Sequence, residues 1–505
     1  MQKGRDPEQP PRDSALLFSK TDDGEVRRMT AEKTDDYDLI VLGGGPVGEN
    51  VADRAVQGGL TAIIVESELV GGECSYWACM PSKALLRSAQ ALRAAQHVEG
   101  AAQAVTGTLD VGAVFARRDS FASNWSDDGQ VRWLESAHID LARGHGRLTG
   151  EREVTVTDAD GSTRVLRARH AVAVSTGSDA VIPPIDGLRE AEPWTSREAT
   201  SAKELPESLA VIGGGVVAVE MATAYAALGS TVTLIARHGL LGGMEPFAGE
   251  RVAAGLKELG VDVRLDTGTS SVRRDESGVR ISLDDGSEVT ASEVLVATGR
   301  SPRSGDIGLE SVGLEPGRWI EVDDTLRVPG VDWLYAVGDV NGRVLLTHQG
   351  KYQARAAGDA IAARARGAEL DDAPWGRHVA TADHAAAPQV TFSFPEAASV
   401  GLTEKAAKDA GRTVAVVDYD LGWVAGASLY EDGFEGQARL VIDAERDVVI
   451  GATFVGPEVA ELVQAATIAI VGEVPIARLW HAVPAYPTVS EIWLRLLEGY
   501  GRDSA

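Results

Sequence analysis

Short apolar runs separated by glycine-rich turns set the rhythm of this chain. Asp38-Leu39-Ile40-Val41-Leu42 is apolar after its first residue and predicts a buried strand, followed by Gly43-Gly44-Gly45-Pro46-Val47-Gly48 and a helical pattern over 49–57. A second buried strand is predicted over 61–65, and Glu66 closes it. The unit recurs: Ser208–Ile212 reads as a strand, Gly213-Gly214-Gly215-Val216-Val217-Ala218 as a turn, 219–228 as a helix and Thr231–Ile235 as the next strand. Strands alternating with helices predict parallel sheets with right-handed crossovers and ligands at the carboxyl ends of the strands. Towards the C-terminus the pattern changes to strands at Gln437–Asp443 and 448–455 with a helix over 457–471.

A strand, a tight glycine turn and a helix N-terminus can hold a pyrophosphate on backbone N–H groups. Gly43, Gly45 and Gly48 supply that turn, and Glu66 stands where a carboxylate would accept hydrogen bonds from a ribose. In the second unit Gly213, Gly215 and Ala218 take the turn positions, and equal intervals (66 − 48 = 236 − 218 = 18) put Ala236 where the acid would be. Arg237 and His238 follow directly. A cation there, with no carboxylate to repel the ligand, suits a ribose 2′-phosphate; the other reading is a solvated arginine at a strand end. The second site is expected to take NADPH, with NADH possible.

Length, 505 residues, suggests about three domains of roughly 150 residues. The formal net charge of -27 argues against nucleic acid or an anionic membrane as partner, since both need clustered Lys and Arg. The longest apolar runs, 209–228 and 462–471, are glycine-punctuated or shorter than the roughly 18 residues of a membrane span. Residues 1–36 are rich in charge and proline and lack the apolar core of a signal peptide, so a disordered tail and a cytoplasmic protein are expected.

Against that background the thiols stand out. The chain has two cysteines, Cys74 and Cys79, in Gly71-Gly72-Glu73-Cys74-Ser75-Tyr76-Trp77-Ala78-Cys79-Met80-Pro81-Ser82-Lys83. In a regular helix the pair would be about 7.5 Å apart along the axis and on different faces, beyond the roughly 7 Å that a disulfide tolerates. A redox pair here therefore requires a distorted first turn, which Gly71, Gly72 and Pro81 permit; two unrelated reduced thiols are the plainer reading. No second Cys or Cys/His cluster completes a tetrahedral metal site, so no metal is expected. Two dinucleotide units beside a dithiol imply a relay with a flavin as middle carrier, because a flavin accepts hydride and reacts with thiols.

From about residue 37 to 498 the sequence resembles the flavoprotein disulfide reductase family that includes dihydrolipoamide dehydrogenase, glutathione reductase and mercuric reductase. The cysteine segment is similar to the family's G-G-x-C-x-x-x-x-C-x-P-[ST]-K stretch. Further matches are Ser175-Thr176-Gly177-Ser178, Ala297-Thr298-Gly299-Arg300, Tyr335-Ala336-Val337-Gly338-Asp339-Val340 and Pro388-Gln389-Val390-Thr391-Phe392 with Pro395-Glu396 and Val400-Gly401-Leu402-Thr403. The resemblance implies an α/β fold with two Rossmann-like dinucleotide-binding domains, for FAD and NAD(P)H, plus an α+β C-terminal dimerisation domain. It places an FAD domain at 37–187 and 300–370, an NAD(P)H domain at 188–299 and an interface domain at 378–498, in a two-fold homodimer.

By the same resemblance Gly72, Gly146, Thr176 and Gly177 join the FAD site, Asp339 binds the ribityl chain and Gly299 belongs to the cofactor-binding set. Cys79 would be the thiol next to the flavin and Cys74 the one that exchanges with substrate. Lys83 and Glu220 would pair beside flavin N5, although each alone is an ordinary solvated or capping residue. Tyr76 and Trp77 depart from the family's small and aliphatic residues; they narrow access, pack on the flavin or fill core.

One departure bears on chemistry. Where disulfide-reducing members carry His-Pro-Thr-x-Ser-Glu, this chain has Tyr486-Pro487-Thr488-Val489-Ser490-Glu491. Unperturbed pKa values of about 10 for Tyr and 6.5 for His mean that Tyr486 donates a proton at neutral pH but hardly accepts one. Oxidising a dithiol needs the missing base most, so the ordinary lipoamide role is weakened. His481 is a substitute only if the loop through Pro484 folds back; otherwise it is a helix-end residue. Glu491 keeps its family position, and with Tyr486 would approach the neighbour's Cys74. Mercuric reductase also has a tyrosine near this point, but its additional cysteine pair has no counterpart, and neither does the C-terminal redox centre of large thioredoxin reductases. The expected activity is of EC 1.8.1 type: NAD(P)H electrons pass by FAD to Cys74–Cys79 and on to a small-molecule acceptor, a disulfide or a related compound. The alternatives are a quinone reductase working directly from reduced flavin and a subunit docked in a multienzyme complex.

Overall fold

The computed structural model describes residues 35–502, so most of the tail expected over 1–36 lies outside the described residues. The first apolar runs form β1 (Asp36–Leu42) and β2 (Ala62–Glu66), joined by helix α1 (Pro46–Gln57). Leu39, Ile40 and Val41 are completely buried, each such side chain contributing about 1.5–3 kcal/mol. The parallel order is β3 (Ile139–Arg143), β2, β1, then the strand Thr163–Val174, which continues into an antiparallel meander with Glu153–Thr157 and His145–Gly150. Leu334–Ala336, far along the chain, adds a parallel strand to Thr163–Val174.

The second unit makes its own parallel sheet in the order Asp262–Arg264, Thr231–Ile235, Ser208–Ile212, Glu293–Val296. Beyond it Gln389–Thr391, Glu396–Gly401, Val448–Gly456, Gln437–Asp443 and Val414–Asp420 form an antiparallel sheet, with helix Val459–Val471 packed on it. The fold is thus α/β with a third, α+β unit. Among the described residues, no helix is long and apolar enough to cross a membrane.

Both glycine-turn helices start earlier than the apolar periodicity suggests. Helix α1 begins at Pro46, whose fixed φ suits the first helical position, and the second begins at Val216, directly after Gly215. By contrast, the helix expected from 457 begins at Val459, because Glu458 is left-handed (φ 60°) and ends the approach. β2 runs one residue further than predicted and includes Glu66.

One geometric device is used twice. Gly43 (φ +99°) and Gly213 (φ +141°) each turn the chain at a strand end; a Cβ on Gly43 would strike the Ser175 carbonyl and one on Gly213 the Ala297 carbonyl. Each turn therefore lies against a Thr-Gly segment leaving the neighbouring parallel strand, which explains why those distant motifs belong to the glycine turns.

Candidate active site

The redox segment is a broken helix. Helix α2 (Gly72–Tyr76) carries Cys74, the chain leaves helical geometry at Trp77 and Ala78 (φ -139°, ψ -99°), and helix α3 (Cys79–Gln96) restarts at the second cysteine. The kink meets the requirement for a distorted turn and brings the two thiols within hydrogen-bond reach. Both are free thiols, half-buried. Helix α2 docks directly on the first glycine turn: Gly71 N–H donates to Gly44 O at 2.7 Å.

The two sulfurs differ electrostatically. A hydrogen bond from Cys74 brings the Cys79 thiol down to about 6, against burial, with help from Thr347 and the Lys83 charge. Cys74 is pushed up, first by that same shared hydrogen bond and then by burial. Cys79 Sγ lies 3.3 Å from Thr347 Oγ1. At neutral pH this favours a Cys79 thiolate beside a protonated Cys74 thiol.

Lys83 and Glu220 do pair. Lys83 Nζ donates to Glu220 Oε2 at 2.7 Å, and the other carboxylate oxygen accepts from Phe392 N–H at 3.1 Å. The Glu220 side chain is 4% exposed and that of Lys83 38%. Lys83 also sits 5.2 Å from the Phe392 ring centroid. Tyr76 fills core: it is fully buried and donates its hydroxyl to Val70 O at 2.9 Å. Trp77 lies under the Arg197 guanidinium, 4.3 Å from the ring centroid.

A cleft of about 710 Å³ runs from the first glycine turn to the cysteines, lined by Gly43, Gly45, Glu66, Gly72, Cys74, Gly146, Thr176, Gly177, Asp339 and Thr347. Gly48 stands apart from that lining; it packs helix α1 against β1, where a Cβ would meet the Gly43 carbonyl. Cys79 meets the cleft through Thr347. Glu66 caps the turn, taking Gly44 N–H at 2.6 Å and Glu68 N–H at 2.7 Å. Asp339 accepts from Ser178 Oγ at 2.6 Å, and Arg300 Nε donates to the same Ser178 Oγ at 2.6 Å, so the carboxylate is fixed at the wall.

The cleft suits a dinucleotide. Its volume is ample, the N-terminus of helix α1 has no side-chain cap to compete for its N–H groups, and two fixed carboxylates, Glu66 and Asp339, stand in its wall.

At the second turn, Ala236 is buried and packs towards Gly214, while Arg237 and His238 are exposed beside it. Gly215 opens onto free space and Ala218 is fully buried. Gly299 O accepts from Val181 N–H at 3.0 Å.

Tyr486 is 77% exposed. Glu491 is buried and held by backbone amides: its Oε1 accepts from Gly426 N–H at 3.1 Å and Thr488 N–H at 3.2 Å, closing a capping box with Thr488. His481 is exposed at the end of a short helix.

Sequence reasoning missed Thr347, which no motif marks, and a cluster at the cleft mouth. Glu73 Oε1 accepts from Arg197 Nε at 2.5 Å and from Arg303 Nη2 at 3.0 Å, and Arg197 also holds Glu68. No local charge pattern marks it, because Glu68 and Glu73 lie near Cys74 while Arg197 and Arg303 come from remote stretches of the chain. Among the described residues, no group of three metal-ligating side chains occurs.

Comparison with known proteins identifies the family and the fold. A family model described as pyridine nucleotide-disulphide oxidoreductase matches residues 37–357, and its dimerisation domain matches 387–496. Dihydrolipoyl dehydrogenase of Chlorobaculum tepidum is 34% identical over 465 residues, covering 90% of this chain and 95% of the relative. The enzyme of that name from Thermus scotoductus is 33% identical over 471 residues, covering 90% and 95%. Among solved structures, the Cu(II) complex of the HOCl-induced flavoprotein disulfide reductase RclA from Escherichia coli superposes with a TM-score of 0.78 at 22% identity, covering 92% of this chain and 99% of that one. LpdA from Mycobacterium tuberculosis gives 0.77 at 24%, covering 91% and 98%; these two likenesses concern the fold.

Proposed function

The chain belongs to the pyridine nucleotide-disulphide oxidoreductase family, whose members bind FAD and NAD(P)H, and from that premise we propose that it uses NADPH to reduce a small disulfide or a related acceptor through Cys74 and Cys79. The observation that carries this reading is the kinked α2–α3 junction, which sets an acidified Cys79 beside a protonated Cys74 next to the cleft. FAD, when bound, supplies the two-electron step between nicotinamide and sulfur. Gly43, Gly45, Gly72, Gly146, Thr176, Gly177, Glu66 and Asp339 would hold it, and Gly213, Gly215, Ala218 and Gly299 would receive the nicotinamide dinucleotide.

The net reaction is NADPH + H⁺ + RSSR → NADP⁺ + 2 RSH. On the acceptor side, Cys74 gives up its proton and attacks one sulfur of RSSR, releasing the first thiol. The Cys79 thiolate then attacks Cys74, re-forming the internal disulfide and releasing the second. The Lys83–Glu220 pair places a fixed cation near Cys79, favouring its thiolate. In a two-fold dimer the exposed Tyr486 of one protomer would face Cys74 of the other, its phenolic O–H donating a proton to a leaving thiolate. Exposed Trp423, Leu429, Ile468 and Val483 on the same C-terminal unit support burial of apolar surface from that unit in a homodimer.

Dihydrolipoamide oxidation is the second reading, favoured by the names of the relatives. Tyr486 counts against it, because that direction requires a base to take the substrate thiol's proton. A third route, with quinones reduced directly from the flavin, bypasses both thiols.

Anaerobic titration of the holoenzyme with NADPH tests the relay. A long-wavelength thiolate-to-flavin band at two electrons is expected, followed by turnover with disulfides in a panel of disulfides, dihydrolipoamide, quinones and metal ions. Absence of the band, with quinone turnover alone, would sink the proposal.

A further inference from the structure

We infer that Arg197 is a positioning residue for the Cys74–Cys79 pair, gripping helix α2 and the first residue of the kink that brings the two thiols together. The inference rests on the redox reading of that pair.

Arg197 lies on the short helix Ser196–Ser201, in the segment leading to the second dinucleotide unit. Its Nε donates to Glu73 Oε1 at 2.5 Å, one residue before Cys74. Its guanidinium plane lies over the Trp77 ring at 4.3 Å, within the break between helices α2 and α3. From the same helix Thr200 Oγ1 lies 3.0 Å from Trp77 O, its one proton shared with Ser196 O at 2.8 Å, beside a carbonyl whose i+4 residue, Pro81, has no N–H to offer. Contacts from one element therefore reach Glu73 in helix α2 and Trp77 at the start of the break, and the Glu73 hydrogen bond and the Trp77 ring contact both belong to Arg197.

The gripping helix is itself anchored. Tyr225 Oη donates to Ala199 O at 2.7 Å from helix Val216–Leu228, which also carries Glu220. Trp194, just before it, exchanges backbone hydrogen bonds of 2.8 Å with Val294 and Val296 in the second parallel sheet. Glu68 and Arg303 complete the charge cluster: Arg197 Nη2 donates to Glu68 Oε2 at 2.7 Å and Arg303 Nη2 to Glu73 Oε1 at 3.0 Å. An arginine that only balanced surface charge would need neither the stack nor the Thr200 contact beside it.

The consequence is chemical because the hydrogen bond from Cys74 is the largest influence lowering the Cys79 thiol. The charged and titratable groups facing Cys79 are Cys74 from helix α2, Lys83 from helix α3 and Glu220 from helix Val216–Leu228, with the Thr347 hydroxyl opposite. Releasing the kink lets Cys74 move away while the other three stay, so Cys79 should become a weaker acid.

The test is the pH titration of the thiolate-to-flavin band in the two-electron-reduced holoenzyme, with thermal stability recorded in parallel. The wild type should titrate near pH 6. Arg197→Met and Trp77→Leu should each raise the midpoint by about one unit, a tenfold loss in acidity, and Arg197→Lys, which keeps the charge at Glu73, should fall between. If Arg197→Met does not fold, Trp77→Leu decides. A lowered melting temperature with an unmoved midpoint overturns the positioning role. A wild type with no band at any pH overturns the redox reading and this inference together.

Discussion

Lys83 Nζ and Glu220 Oε2 meet at 2.7 Å across 137 residues of chain, tying the redox helix to the helix that opens the second nucleotide unit. Breaking a buried pair typically costs about 3–5 kcal/mol because one charge is left uncompensated. Lys83 is 38% exposed, so water softens the loss, and Lys83→Met should cost about 2 kcal/mol, read by denaturant unfolding of the holoenzyme. The thiolate band of the same variant should also weaken, since a cation beside Cys79 is gone.

Replacing Cys74 by alanine separates the routes out of the protein. Disulfide turnover should fall to background in a steady-state assay, while any turnover of quinones persists. Equal loss of both would mean that the dithiol is not the branch point.

The acidified Cys79 has a stability consequence in the reduced protein. Its proton leaves near pH 6 in the folded chain, against an ordinary thiol value of 9.0. Between those values the unfolded chain binds more protons, so stability should rise with pH, be complete above about 9 and be lost as pH falls through about 6. Cys74, shifted upward, acts only above its ordinary 9.0 and in the opposite sense. Urea midpoints of the dithiol form from pH 5.5 to 8.5 should climb, and the disulfide form should lack that increment.

Cofactor choice should be set beside Ala236. If Arg237 binds the 2′-phosphate, Arg237→Glu would remove a charge-assisted contact of about 1.5–3 kcal/mol, and the KM for NADPH should rise about 10–100-fold with that for NADH little changed. An unaltered NADPH/NADH ratio in initial-rate kinetics would contradict the assignment.

Tyr486→Phe isolates a proton donor. Because the side chain is 77% exposed, folding stability should move by less than about 0.5 kcal/mol. Disulfide turnover should drop about 10²-fold, while NADPH-driven reduction of the internal disulfide, followed by stopped flow, keeps its rate.

Several features were legible without coordinates because they are local. Apolar runs such as Leu39 to Leu42 and glycine turns such as Gly43 to Gly48 depend on burial and backbone φ within a few residues, and strand Ser208–Ile212 appears where its pattern put it. The cysteine spacing required a broken helix, and the break lies at Trp77 and Ala78. Boundaries were less certain: Pro46 begins a helix by its φ rather than by apolar periodicity, and Glu458 stops one by a left-handed backbone.

What the chain order alone determined, then, is the inventory: two glycine turns, an acid after the first and an alanine with an arginine next to it after the second, a dithiol and a tyrosine in a histidine's place. Tertiary structure decided how those parts meet. Pairing of Lys83 with Glu220, the Thr347 contact to Cys79, the bond from Gly426 N–H to Glu491 and the Arg197 grip on Trp77 join residues remote in sequence. Such contacts arise when packed layers bring side chains to one point, and no linear spacing encodes that point, because the intervening chain can take many lengths and still close the same distance.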